Sequence, residues 1–599
     1  RPANRAADKE TSLRAEATEK LTQILAPLID NRAANRKKTY RLGGKNRSFT
    51  HNDLFVMALN WGNEGNRQRL LGGEGWTAAE FEPLLGELTA AELDAVQAIW
   101  DYFETFRPEI AAKERRVNGV EPQWVAPTPF SVVSADGQTV NLRGGYYPIR
   151  YDLQASERAA ADDAATQAQA QLRGVHSAAT TRRGHTKSRV KEVHDRPLVY
   201  SFAGIYSGFS DIIHDLSWHE FLIDTNRLLR SSRIQNAIKD HYGTDYLRQL
   251  QGWVQDIAVG DNQTLAAGEE ALRTVRRFAS MAGLGFNAVS ALKQPLGLLQ
   301  SVARVGGGDI LTATAQFIAS PVRMTREAKA ASTFMQNRTR TRFRELNELR
   351  NALEQQSKTR QFIARYSYAL IMAVQQQVDV ITWHAQLNKS LHEGATAEDA
   401  VAQADQAVID SQGSGLNKDL SAVERGGEWR RLFTVYYSYM NAVLNLEINA
   451  LTSKHSLAYK AGTVLMLSAL MPILDAALNS LLKPGDDDKW DKENLPETLG
   501  KAVFNGLTGH FFALRELQWS GYGGYSGPTG LRGLKDAYNL IDQAGQGEVD
   551  DGLRRALINT AGSWFGLPSA QINRSWDGIE ALAADETDNP LALAFGYQK

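Results

Sequence analysis

Residues 428–482, EWRRLFTVYYSYMNAVLNLEINALTSKHSLAYKAGTVLMLSALMPILDAALNSLL, limit what this chain can fold into more than any other stretch. Arg430 and Arg431 stand near its start, and Phe433, Tyr436, Tyr437, Met440 and Leu444 then recur on one helical face. Leu432, Val435, Tyr439 and Val443 make much of the opposite side apolar too. A helix that is apolar all round has to be covered by protein or by lipid. After a polar break at residues 452–455, residues 461–482 carry a single charge, Asp475. About 20 residues suffice to cross a bilayer. Pro472, Asp475 and Asn479 weaken such a span, since an acid at mid-helix costs about 2.5–3.5 kcal/mol on insertion. The uninterrupted part, 461–474, has the length of a core helix. The sequence therefore predicts a buried helix first and a membrane-entering segment second.

With 599 residues the chain has room for two to four domains. Its net charge of −1 gives no global attraction to nucleic acid, so any such contact must come from local clustering. The absence of cysteine removes disulfides, thiolate nucleophiles and Cys-based zinc sites together. Arg1 stands first and no signal peptide follows, so the chain is expected to be either a processed product or a piece of a longer one.

The pattern predicts a mainly α fold, an elongated multi-helical assembly with a small β element near residues 125–152. Residues 1–120 are expected to be helical, with an amphipathic helix at 11–31 and a β-turn element at TYRLGGKNRSF, bent at Gly43-Gly44. Gly62, Gly65, Gly72 and Gly73 are expected to punctuate a loop. Thr50 or Asn52, Thr77 and Thr89 are the candidate helix caps, the last opening a helix that runs to Arg116. Residues 121–154 form the β element, with strands at 130–133 and 138–142 leading into YYPIRYD. The Ala-, Gln- and Arg-rich residues 155–200 are expected as a linker whose TRRGHTKSR cluster is a solvated loop. Residues 201–427 form a long-helix region, 428–484 the hydrophobic helices and 485–599 a C-terminal helical region. Residues 321–365 hold 11 basic side chains against 4 acidic ones, the strongest local positive field. It is a solvated helix face or a surface for DNA or anionic lipid.

No convergent catalytic set is legible. Asp211, His214, Asp215, His219 and Glu220 form the densest His/carboxylate group, on a single helix, but HExxH and a third ligand at known spacing are absent. Ordinary hydrogen-bonded histidines account for such a group, and His384 and His392 carry less signal still. No phosphate loop and no GxSxG is present. The chain is therefore expected not to be an enzyme and to need no cofactor or metal.

Four stretches in order carry a resemblance: YYPIRYD, GLGFNAVSALKQPLGLLQSV (283–302), the run from AVAQADQAVIDSQGSG (400–415) through residue 445, and ETDNPLALAFGYQK at 586–599. This order resembles the C-terminal half of the largest internal virion protein of short-tailed phages, and related modules recur in large polyvalent phage proteins. The resemblance covers residues 146–599. In that family a Y-x-P-x-x-Y-D element precedes helices with a Phe/Asn-Ala segment, an aromatic helix and a mobile hydrophobic hairpin. The family's N-terminal transglycosylase domain is not visible here, so peptidoglycan cleavage does not carry over.

The resemblance implies a protein held inside the virion beside the portal and other core proteins. It would be ejected into the host periplasm and inner membrane, to form a homo-oligomeric channel for double-stranded DNA bound without sequence preference. On that reading Arg430, Arg431, Tyr436, Tyr437 and Tyr439 are expected to be membrane-proximal. Leu465, Leu470 and Ile473 belong to the inserting hairpin, and Arg338, Arg340, Arg342 and Arg344 to the DNA-facing surface. The alternative is a soluble helical scaffold or packaging module of a larger polyvalent virion protein, with no membrane role. A third, an enzyme built on Asp211, His214 and His219, has the least support.

Overall fold

Threonine caps set the helix starts in the first part of the chain. The Thr50 hydroxyl accepts from the Asp53 N–H at 3.2 Å while the Asp53 carboxylate accepts from the Thr50 N–H at 2.8 Å, a reciprocal capping box that opens α2 (His51–Leu59). Glu80 serves Thr77 likewise at the start of α4 (Ala78–Leu85), and Glu92 serves Thr89 at the start of α5 (Ala90–Thr105). These caps are the ones expected from the sequence.

The structure is a computed structural model that describes residues 1–29, 37–152, 196–200, 202–260, 267–341, 366–425, 431, 434, 437–482, 497, 499–504, 532–545 and 551–597. They form a mainly α fold with two small antiparallel hairpins. The chain divides into two compact units, Arg1–Gln263 and Thr264–Lys599. Most of the linker expected at 155–200, with its basic cluster, lies outside the described residues.

In the first unit, α1 (Pro2–Ile24) starts nine residues before the expected Thr11, because its buried stripe begins with Ala6 and Ala7, too small to mark an apolar period. The hairpin of β1 (Lys37–Leu42) and β2 (Lys45–Thr50) pairs Leu42 with Lys45. Gly43 and Gly44 carry φ of 58° and 74°, the left-handed pair that a two-residue hairpin turn requires. The glycine-punctuated loop expected at 62–73 is instead largely helical. Asn63 caps α3 (Glu64–Glu74), and Gly75 closes it with φ 71°.

The helix expected to run to Arg116 breaks after α5, and α6 (Arg107–Asn118) follows. Pro108 lacks an N–H and is best tolerated in a first turn, and it stands at the second position of α6, just past the break. The hairpin of β3 (Phe130–Val133) and β4 (Thr139–Leu142) is not a separate domain. It lies on α5, whose Trp100 is 1% exposed, and a Cβ at Gly62 or Gly145 would approach Trp100 to 2.5 or 2.4 Å. YYPIRYD then pairs with the returning chain: the Asp152 N–H donates to the Pro197 carbonyl and the Val199 N–H to the Arg150 carbonyl, each at 2.9 Å. α7 (Ala203–Arg230) packs across this core through Phe209, stacked on Phe103 at 3.8 Å. α8 (Ser232–Tyr242) and α9 (Thr244–Val259) complete the unit.

The second unit begins with α10 (Ala267–Leu284), followed by α11 (Leu298–Val305), α12 (Gly307–Ala319), α13 (Pro321–Ala331) and α14 (Thr333–Thr341). Its centre is the pair α15 (Ala369–His392) and α16 (Ala397–Gln412). Ala400, Ala404, Ala407 and Val408 form a fully buried stripe of small residues on α16, which lets Trp383 of α15 sit 1% exposed in the core. Next come α17 (Tyr437–Thr452) and an unbroken helix, α18, running through Leu457–Leu465, a π-helical turn at Met466–Leu470, and Met471–Leu482. α19 (Arg532–Gly545), α20 (Asp551–Phe565) and α21 (Ser569–Ala583) close the unit with a short turn at Ala592–Phe595.

Candidate functional site

Two places gather residues singled out by the sequence, one in each unit. In the first, helical spacing puts Asp211, His214, Asp215, Trp218 and His219 along α7, but their partners come from elsewhere. Asp211 pairs with Arg150 at 2.7 Å, and Glu220 accepts from Arg116 at 2.9 Å. His214 Nδ1 and the Trp218 indole N–H meet the Glu10 carboxylate of α1 at 3.0 and 2.6 Å. Asp215 binds the ammonium of Lys113 and lies 3.6 Å from His219 Nδ1. Lys113 also pairs with Glu114 at 2.9 Å.

Burial pushes the Glu10 carboxyl up, but Arg14, His214 and the Trp218 N–H outweigh it and bring it down to about 2. Glu114, Asp215 and His219 offer three buried ligand atoms within 4.8 Å of one another. Two of these three side chains already hold the ammonium of Lys113, so the group contains its own cation, and a metal ion would have to displace it. Chemically this is a set of charged struts that pin α1, α6 and the YYPIRYD segment to α7. The sequence missed Glu10, Lys113 and Glu114, which lie about 100 to 200 positions away along the chain, and no local signal marks them.

The second place is α17 and α18. On α17, Val443, Leu446 and Ala450 face inward, while Ile448 and Leu451 are exposed. Tyr437 is buried at the start of this helix, and the Tyr439 hydroxyl points to Met471 Sδ at 3.9 Å. Arg431 is half-buried, whereas Arg430 and Tyr436 lie outside the described residues.

The polarity of α18 is inverted. Its covered stripe is Thr463, Leu467, Ser468 and Met471, with the Ser468 hydroxyl donating to the buried Glu447 carboxylate of α17. Its outward face shows Leu457 at 81%, Leu465 at 63%, Leu470 at 44% and Leu474 at 38% exposure, with Ile473 partly covered. Residues Leu457–Leu478 are long and apolar enough to cross a membrane, with only 22% of the window buried. The first expectation, a buried core helix, is thus corrected: the unit covers one narrow, partly polar side that includes Leu467 and leaves four other leucines outside. The one acid of this helix, Asp475, is met by Lys293 at 2.9 Å.

The expected DNA-facing row needs correction at Arg338. Arg338 is 1% exposed, pairs with Asp379 at 3.1 Å and lies 5.4 Å from the Phe334 ring centre, so it braces α14 against α15 and does not face solvent. The side chain of Arg340 and all of Arg342 and Arg344 lie outside the described residues. Neither a family model nor a curated protein nor a solved structure matches this chain.

Proposed function

We propose that this chain is an internal ejection protein of a short-tailed phage, stored in the virion and released into the host envelope, where it helps form a channel for the genome. The observation that carries the membrane part is the inversion of α18. A soluble helix turns its apolar stripe inward, whereas here the covered side pairs Leu467 and Met471 with the hydroxyls of Thr463 and Ser468, the latter bonded to Glu447 of α17, and four leucines lie outside. Large apolar side chains left exposed along one helix fit a surface that meets a partner or a membrane. The π-helical turn at Met466–Leu470 adds a bend point to that helix. The Asp475–Lys293 pair supplies a counter-charge for the acid that otherwise opposes insertion.

The phage assignment rests on the order of the four sequence stretches. It brings with it the portal and core proteins as neighbours, double-stranded DNA, the inner membrane and self-association. The rival is a soluble helical scaffold of a larger virion protein, favoured by the ties that fasten α18 to α17 and Lys293.

Flotation and dye release with anionic vesicles test the membrane part. Binding and leakage support it; a chain that neither binds nor permeabilises vesicles under any condition leaves the scaffold. Hydrogen exchange separates the two in solution. Ready opening of residues 461–482 belongs to an inserting segment, strong uniform protection to a scaffold.

A further inference from the structure

The β1–β2 hairpin, residues 37–50, carries five cations, Lys37, Lys38, Arg41, Lys45 and Arg47, and no acid. Its register divides it into two faces. Tyr40, Leu42 and Phe49 point into the unit, where Leu42 is 2% exposed and Phe49 meets Trp76 and Tyr200 at 5.7 and 6.1 Å. The other face sets Lys37, Thr39 and Arg41 opposite Thr50, Ser48 and Asn46. On it only Thr50 is partly covered, and it holds no apolar side chain.

At the margins Lys38 is held by Glu87 at 2.6 Å and Arg47 by Glu74 at 3.7 Å. Lys37 and Arg41, the two cations of the outward face, form no ion pair among the described residues, and Lys45 stands opposite Leu42 on the other face. The ribbon is fixed from below, since the Gly43 N–H donates to Glu80 at 3.1 Å. It is a preformed face with two cations, four hydroxyl or amide side chains and no acid of its own.

We propose that this outward face is a binding surface for the phosphate backbone of double-stranded DNA. It deepens the DNA-passage part of the function proposed above, and rests on that reading only for which DNA is met. Lysine, arginine, serine, threonine and asparagine are the side chains that contact phosphate and sugar without reading sequence. Lys37 and Arg41 stand about 13 Å apart along β1, at roughly 3.3 Å per residue. That span matches the phosphate-lined major groove of B-form DNA, about 12 Å wide. Duplex RNA presents a narrow major groove instead. A single strand is captured by stacking on aromatic side chains, and both hairpin aromatics are turned into the unit. A lipid surface takes apolar anchors, which this face lacks.

Fluorescence anisotropy of a short labelled DNA duplex, titrated with the whole chain at several salt concentrations, tests the assignment. The double variant Lys37→Gln, Arg41→Gln is expected to bind roughly tenfold weaker or worse, with a salt slope reduced by about 2. Lys37→Arg with Arg41→Lys should bind like the unaltered chain. So should Arg233→Gln, Lys239→Gln, which removes as much charge from exposed positions on α8 of the same unit. The proposal is overturned if the unaltered chain does not bind DNA, if the hairpin variant binds unchanged, or if the control variant is weakened equally. Equal binding of duplex RNA also overturns it, as does a larger loss on phosphatidylglycerol vesicles than on DNA. A chain that fails here yet still floats with vesicles loses the hairpin assignment alone.

Discussion

Asp405 accepts hydrogen bonds from the Ser332 hydroxyl at 2.6 Å and the Trp383 indole at 2.8 Å, both on one oxygen. Burial outweighs these two donors and pushes its carboxyl up to about 6. The folded state then takes a proton before the unfolded state does. Stability of the second unit should rise as pH falls from 6 toward the ordinary aspartate value near 4. Asp405→Asn keeps an oxygen for both donors and removes the charge. It should stabilise that unit by roughly 2 kcal/mol at pH 8 and by nothing at pH 4, read by urea unfolding at the two pH values.

Glu10 behaves in the opposite sense. Its contribution, about 3 kcal/mol from a carboxyl lowered to about 2, is complete above pH 4.5 and disappears as pH falls through 2. Glu10→Gln should destabilise the first unit by about that amount at pH 7 and flatten its acid limb in a pH titration of unfolding. Lys113→Met leaves Glu114 and Asp215 buried without their cation, and should cost the same unit about 3–5 kcal/mol at neutral pH in the same assay.

At the scale of elements, α18 separates two kinds of leucine. Leu467 is 1% exposed, so Leu467→Ala should destabilise the second unit by about 2–5 kcal/mol. Leu465→Gln and Leu474→Gln change exposed positions and should leave solution stability within about 0.5 kcal/mol while weakening vesicle flotation. Much of the element pattern was legible: Thr50, Thr77 and Thr89 advertise their caps, the Gly43-Gly44 bend marks the first hairpin, and the second follows from the strands at 130–133 and 138–142. What escaped was governed by residues with weak hydropathic signal. Ala6 and Ala7 lengthen α1, Asn63 turns a glycine-dotted loop into α3, and Pro108 stands just past the break in the expected long helix. The exposure of α18 escaped for a different reason. Apolar content fixes that a helix needs covering, but which side its own unit covers depends on α11 and α17, whose approach is a tertiary fact.

At the scale of the whole molecule, two units each carry their own core, with the charged struts in the first and the inverted helix in the second. The His/carboxylate group on α7 was visible in the sequence as a group, yet its chemistry was not. Its meaning depends on Glu10 and Lys113, which only folding brings to it. Arg338 shows the same limit, because a basic run in sequence reads as a surface until Asp379 draws one member inside. A lipid-facing role for α18 should persist in variants of the struts that remain folded, since the exposed leucines belong to the second unit.

The chain has no cysteine, so a single one introduced at Leu465 can carry an environment-sensitive fluorophore without a competing site. On addition of anionic vesicles, burial of the outward face of α18 in lipid predicts a blue-shifted emission that lipid-borne nitroxide quenches. The same label at Glu398, a surface position on α16, should stay in water. An emission at position 465 that is unchanged by vesicles of any composition, in a chain that remains folded, would contradict the membrane role.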